Sequence, residues 1–116
     1  MSKYLNVMEC IGTPSAITQE AGDLVFEEIS KALNEKVCIE LDFKDIESMI
    51  SPFLNNAIGK LYKDYSSEEI KQYLQFLNLP KEKIPTINMV ISNAKKFYAD
   101  QEEFEKVVKG VMGNVE

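Results

Sequence analysis

The segment that most constrains this chain runs from Leu41 to Tyr62. Leu41, Asp42 and Phe43 end a stretch that alternates between apolar and polar residues, a short polar loop follows, and Ser51-Pro52 opens a helical pattern. Serine is a favoured N-cap, and proline suits the first helical position because its missing amide hydrogen has no work to do there. Leu54, Ala57, Ile58, Leu61 and Tyr62 recur at the spacing of one helix face and define its buried stripe. Asn56, Lys60 and Lys63 fall on the outer face, with Asn55 and Gly59 beside them on one side of the helix. A strand therefore feeds a helix through a tight corner.

The chain before this corner supplies a matching unit. Tyr4 to Ile11 alternates with a period of two, with Leu5, Val7 and Ile11 on one side, which predicts a strand ended by Gly12-Thr13-Pro14-Ser15. From Ile17 to Asn34 the period turns helical: Ala21, Val25, Ile29, Ala32 and Leu33 form the stripe, and Thr18 is the expected N-cap. Gly22 inside that helix costs about 1 kcal/mol against alanine, which marks it as a point of close packing. Val37 to Phe43 is the second strand, with Val37, Ile39, Leu41 and Phe43 pointing one way and Cys38, Glu40 and Asp42 the other, on a partly wet face. Strand, helix and strand joined by short links imply a right-handed parallel crossover.

Beyond the corner, Ser66 and Glu69 form a capping box that starts a short helix. Tyr73 to Leu79, stopped by Pro80, fits either a continuation of that helix or, favoured by the alternation of Leu74, Phe76 and Asn78 against Tyr73, Leu77 and Leu79, a third strand that extends the same sheet. Ile84, Ile87, Ile91, Ala94 and Tyr98 define a long helix. Asp100 with Glu103 is expected to cap a last one, with Phe104, Val107, Val108, Val111 and Met112 as its apolar face. The expected fold is a single α/β domain over residues 1–116, with a small mixed or mainly parallel sheet and helices mostly on one face. Residues 100–113 would be an appended amphipathic helix.

Composition removes several classes of function. Thirteen basic against 19 acidic residues give a net charge of −6, with no local basic patch, so no nucleic-acid partner is expected. No apolar run approaches the ~20 residues that a bilayer crossing needs, and Met1 to Asn6 lack the apolar region of a secretion signal. A cytoplasmic chain without a membrane partner is the expectation. Cys10 and Cys38 are too few for a disulfide framework and are expected as buried thiols in strands. The absence of histidine removes Ser-His and Cys-His nucleophilic pairs and the commonest general base. Glu40, Asp42 and Asp45 are read as strand-edge and loop-capping residues rather than a magnesium site, and no metal or cofactor is expected.

Leu41-Asp42-Phe43, Ser51-Pro52-Phe53, Asn55, Ala57-Ile58-Gly59, Leu61 and Lys63-Asp64 carry a resemblance to the STAS domain, and more closely to a STAS-like family of uncharacterised prokaryotic proteins. Gly22 and Ile91-x-x-Ala94-Lys95 fit it too. STAS domains form bacterial anti-sigma-factor antagonists and the cytoplasmic parts of sulfate transporters. In the antagonists, a serine or threonine before this helix is phosphorylated by a kinase of the ATP-binding histidine-kinase-like fold, which turns binding off. Ser51 falls at that serine, while Ile50 stands at the family's aspartate and Pro52-Phe53 stand where a hydroxyl and a glycine would be.

The resemblance implies a non-enzymatic regulatory module that binds a protein partner, such as a histidine-kinase-like ATP-binding regulator. Its surface would comprise Ser51, Pro52, Phe53, Asn55, Asn56, Lys60 and Lys63, with Ser51 as phosphoacceptor. Capping alone also accounts for Ser51, and Phe53 is either core or, if exposed, an interface anchor. The alternative function is a STAS-like sensor that binds a nucleotide or another small molecule, although the chain has no glycine-rich phosphate loop.

Overall fold

The computed structural model describes the backbone of residues 2–115 and the side chains of residues 2–99. It begins with β1 (Ser2–Asn6), and then departs from the expected strand. Val7–Ile11 is a single helical turn, α1. The Asn6 side chain accepts a hydrogen bond from the Glu9 amide at 2.9 Å, and Gly12 closes the turn at φ 77°. These two caps outweigh the period-two pattern of Leu5, Val7 and Ile11. Cys10 consequently lies in a helix and Cys38 in a strand, both as half-buried free thiols.

After the two-residue strand β2 (Ser15–Ala16), α2 (Gln19–Glu35) starts where its cap predicts. The Thr18 hydroxyl accepts from the Ala21 amide at 3.0 Å, and Lys36 ends the helix in the left-handed conformation. Ala21, Gly22, Val25, Ile29, Ala32 and Leu33 are its buried face, as the spacing required. The chain continues into β3 (Cys38–Asp42), β4 (Ser48–Met49) and then the helical corner: α3 (Ser51–Leu54), a π-helical turn (Asn55–Gly59) and α4 (Leu61–Asp64). The capping box of Ser66 and Glu69 is present in both halves and opens α5 (Ser67–Tyr73). A third strand, β5 (Leu74–Leu77), precedes a 3-10 turn (Lys81–Lys83) and the long helix α6 (Ile84–Val115).

The main sheet has the order β1-β3-β5, and both pairings are parallel. Register places Leu5 beside Leu41 and Leu41 beside Phe76, on the face that joins the core. Tyr4, Glu40 and Gln75 line up on the opposite face, which is exposed or half-exposed. Asp42 departs from the wet-face expectation because it is buried. A second small sheet, β2 paired in parallel with β4, has no counterpart in the sequence reading, since two-residue strands leave no periodic trace.

In α6, Ile87, Val90 and Ala94 are buried and Ile91 is half-buried, while Ile84 is exposed beside the 3-10 turn. The backbone remains helical through Asp100, where a new helix was expected. The apolar face expected from Phe104 to Met112 lies outside the described side chains.

Packing of α2 on the corner helix decides where everything else sits. A Cβ at Gly22 would stand 2.5 Å from the Phe53 carbonyl oxygen, 2.9 Å from Asn56 Cβ and 3.1 Å from the Ala57 nitrogen. Only glycine permits that approach. Further along, Lys60 bonds to Asp23, and the Tyr65 hydroxyl donates to Asn34 Oδ1 at 2.6 Å. The two helices therefore run side by side in the same direction. Gly59 differs: a Cβ there would meet Ala94 and Val90 of α6 at 3.7 Å, an ordinary contact.

These two glycines give opposite predictions. Gly22→Ala forces one backbone off another and should destabilise by about 1–3 kcal/mol or more. Gly59→Ala should be neutral or stabilise by up to about 1 kcal/mol, because a helical glycine is replaced without a clash. Urea unfolding of both variants beside the wild type checks this; equal losses in the two would contradict the packing described.

Candidate functional site

The corner is built by backbone pairing as much as by side chains. After β3 the chain turns through Asp45 at φ 66°, and Ile46 drops into the core. The Glu47 and Ser48 amides donate to the Pro14 carbonyl at 2.8 and 3.3 Å, and the Ile50 amide to the Ala16 carbonyl at 3.1 Å. Ala16 and Met49, register partners in the small sheet, are both buried. The loop before the helix is thus riveted to the segment after α1.

This pairing changes the assignment of Ser51. Ile50 stays extended at φ −124°, ψ 166° because it continues the β4 pairing, so Ile50 takes the N-cap position. Ser51 is already the first helical residue, Pro52 the second, and no side chain caps this helix. The expected capping role of Ser51 is therefore absent. Its half-buried side chain sits between exposed Ile50 and exposed Pro52.

The remaining candidate residues divide into three groups. Phe53 is fully buried, so it belongs to the core rather than to a contact surface. Burial of a side chain this large contributes roughly 1.5–3 kcal/mol. Asn55 and Lys63 are exposed, as an outer face requires. Asn56 and Lys60 are half-buried and already engaged: Asn56 Nδ2 donates to Asp23 Oδ1 at 3.0 Å and to the Gln19 carbonyl at 3.4 Å. Lys60 Nζ reaches Asp23 Oδ1 at 2.8 Å and lies 5.0 Å from the centre of the Phe26 ring. The Lys60 hydrogen bond holds the Asp23 carboxyl below the usual carboxylate range. Asp23 carried no motif, but as the acidic residue next to Gly22 it was placed to meet the helix that Gly22 admits.

The π-helical turn accounts for this split. The Lys60 amide donates to the Asn55 carbonyl at 3.0 Å, five residues back, so one extra residue is fitted into the turn. Asn56 and Lys60 end up toward α2, while Gly59 lies against α6. Such bulges recur at functional sites in helices.

A second polar cluster lies at the end of β3. The Asp42 carboxylate accepts from the Tyr4 hydroxyl, from Asn78 Nδ2 at 2.8 Å and from the Lys44 amide at 2.9 Å. These donors come from β1, from the residue after β5 and from the loop after β3, so one carboxylate at the end of β3 links all three strands. The Tyr4 bond is the main reason that the Asp42 carboxyl is held below its ordinary value, with Asn78 next. With three donors aimed at it, the carboxylate is committed to the fold. Among the described residues, no group of three His, Cys, Asp or Glu side chains is placed to hold a metal ion, and no helix is long and apolar enough to cross a membrane.

The sign of the Asp42 effect follows from linkage. Its folded-state carboxyl is depressed below the unfolded value of ~3.9, so its contribution is whole well above that pH and fades as pH falls through and below it. Asp42→Asn turns one acceptor into a donor facing other donors, and should cost about 1–3 kcal/mol at neutral pH. Denaturant unfolding from pH 7 to pH 3 should also show a shallower acid decline in Asp42→Asn than in wild type. Parallel curves would show that this carboxylate does not contribute to acid sensitivity.

Against known protein families, residues 21–83 match the STAS-like domain of unknown function (DUF4325). No curated protein and no solved structure matches the chain. The matched span opens on the buried start of α2, contains the Gly22 contact, β3, the riveted loop, the corner helix and β5, and covers more than half of the chain. With its parallel β1-β3-β5 sheet and its corner of strand, loop and helix, the chain belongs to the STAS-like family.

Proposed function

We propose that this protein is a non-enzymatic regulatory interaction module that docks a protein partner through the Ser51 loop and the exposed side of the helix that follows. One observation carries this reading: the Ser51 hydroxyl, on the first turn of a helix, serves no cap, although the loop holding it is fixed by the β2–β4 pair. A side chain fixed in place, with no hydrogen-bond partner among the described residues, is available to a partner or a modifying enzyme. Pro52, Asn55 and Lys63, all exposed, extend the surface, whereas Phe53, Asn56 and Lys60 serve as its support.

The partner class that fits the family resemblance is a regulator with the ATP-binding histidine-kinase-like fold, and Ser51 is the phosphoacceptor. Phosphorylation adds about −1.5 to −2 charges. A dianion between Ile50 and Pro52 would have to be desolvated where a partner's apolar side chains close over it, which switches docking off. Phosphorylation at a helix start is itself well tolerated by the fold, since the free amides and the dipole favour an anion there.

A small-molecule reading has one observation in its favour. An open cleft of about 420 Å³ lies between α4 and α6, lined by Tyr62, Lys63, Lys95 and Tyr98 among others. A nucleotide present at 100 times its dissociation constant would stabilise the protein by about 2.7 kcal/mol, which a thermal-shift panel detects.

The docking reading is tested with the histidine-kinase-like ATPases of the same genome. Wild-type protein should bind one of them, and Ser51→Asp or Asn55→Asp/Lys63→Glu should weaken binding at least tenfold by titration calorimetry. With ATP, intact mass should show one phosphate on wild type and none on Ser51→Ala. Undiminished binding by both variants would overturn the surface, and an unmodified wild type would overturn the phosphoacceptor role.

A further inference from the structure

Exposed large apolar side chains are ordinary when scattered and call for a reason when they cluster. Ile50 directly precedes Ser51, Ile17 follows β2 across the small sheet, and Leu24 shares a cavity wall with Ile17. β2 and β4 pair as Ser15 with Ser48 and Ala16 with Met49, so the register carried one step further sets Ile17 beside Ile50. Ala16 and Met49 point into the core, and alternation along each strand turns Ile17 and Ile50 outward. They are 44% and 42% exposed. Leu24, 46% exposed, joins Ile17 around a shallow cavity of about 390 Å³ between the first turns of α2 and the segment after α1. None of these residues is needed to close the core, and the backbone that presents Ile17 and Ile50 is held by the small sheet.

We infer that this apolar corner is the anchor of the docking surface and selects an amphipathic helix whose apolar side chains are flanked by lysine or arginine. The inference deepens the docking reading above and rests on it. Side chains rather than backbone must provide the recognition, because strands of two residues offer too little edge for strand addition. A helix offers apolar anchors one turn apart, which suits a patch made of Ile17, Leu24 and Ile50.

Charge decides between occupants. Glu20 is the charged residue on the cavity wall, and Glu20, Leu24 and Glu27 lie along one exposed row of α2. The chain as a whole carries −6. A second copy would bring the same acidic row against itself, and self-complementary contact would be opposed by repulsion. A partner helix with basic flanks meets the opposite condition, and its encounter is steered.

The test uses two designed helical peptides of the same amphipathic pattern, one of leucine and lysine and one of leucine and glutamate. They are titrated into methyl- and amide-labelled full-length protein and followed by NMR. The leucine–lysine peptide should shift the methyl signals of Ile17, Leu24 and Ile50, bind at least tenfold more tightly than its acidic counterpart, and weaken with added salt. Leu24→Glu and, independently, Ile17→Ser should each reduce its affinity at least tenfold while circular dichroism stays that of wild type. Equal binding of both peptides would overturn the charge selection. Shifts confined to the Asn55 and Lys63 amides would overturn the apolar anchor and leave the docking reading standing. Shifts from neither peptide at any of these positions would overturn the inference, with the kinase experiment above deciding the docking reading separately. A concentration-dependent dimer abolished by Leu24→Glu would overturn it in favour of a second copy.

Discussion

Two backbones meet at Gly22 with no room for a methyl group between them. That contact is the constraint from which the rest of the corner follows. Because α2 can lie directly on the Phe53 carbonyl, the corner helix is drawn close enough for Asn56 and Lys60 to reach Asp23 and for Tyr65 to reach Asn34. The Asp23–Lys60 pair is nearly half-exposed, so it adds little by charge alone. It reports the approach more than it causes it. Buried Phe53, Leu54, Ala57 and Ile58 provide the adhesion, and the missing Cβ provides the distance.

The same architecture separates support from display. Helices cover one face of a three-stranded parallel sheet, and Asp42 links its three strands on the other. The small β2–β4 sheet then does for the loop what Asp42 does for the strands: it fixes a stretch with no regular structure of its own. Ser51, Pro52, Ile17 and Ile50 are side chains on a fixed frame. For the docking proposed above, a frame of this kind would spare the entropy cost of ordering a loop at each encounter.

Much of this was legible in the residues. Thr18, the capping box of Ser66 and Glu69, the α2 stripe and the third strand all emerge where local chemistry and periodicity agree. Gly22 was readable as a close contact because a mid-helix glycine needs a reason. The failures arose where one signal was overridden by another, from neighbouring caps and turns in some places and from contacts distant in sequence in others. Val7 to Ile11 alternates like a strand, yet Asn6 and Gly12 cap it into a turn. Ser51 looks like a cap, yet pairing with Ala16 holds Ile50 extended and shifts the helix start by one residue. Asn56 and Lys60 fall on an outer face only if the helix is regular, and the π turn redirects them toward α2. Asp42 sits at a strand end like any solubilising carboxylate until Tyr4 and Asn78 close over it.

The central claim is that the corner helix lies against Gly22 in the free protein, which holds the loop carrying Ser51 in place. A nuclear Overhauser spectrum of the unbound, isotope-labelled chain tests it directly. Strong cross-peaks from the Gly22 α-protons to the Asn56 β-protons and the Ala57 amide are predicted. Their absence, in a spectrum where all three residues are assigned and well dispersed, would contradict the account.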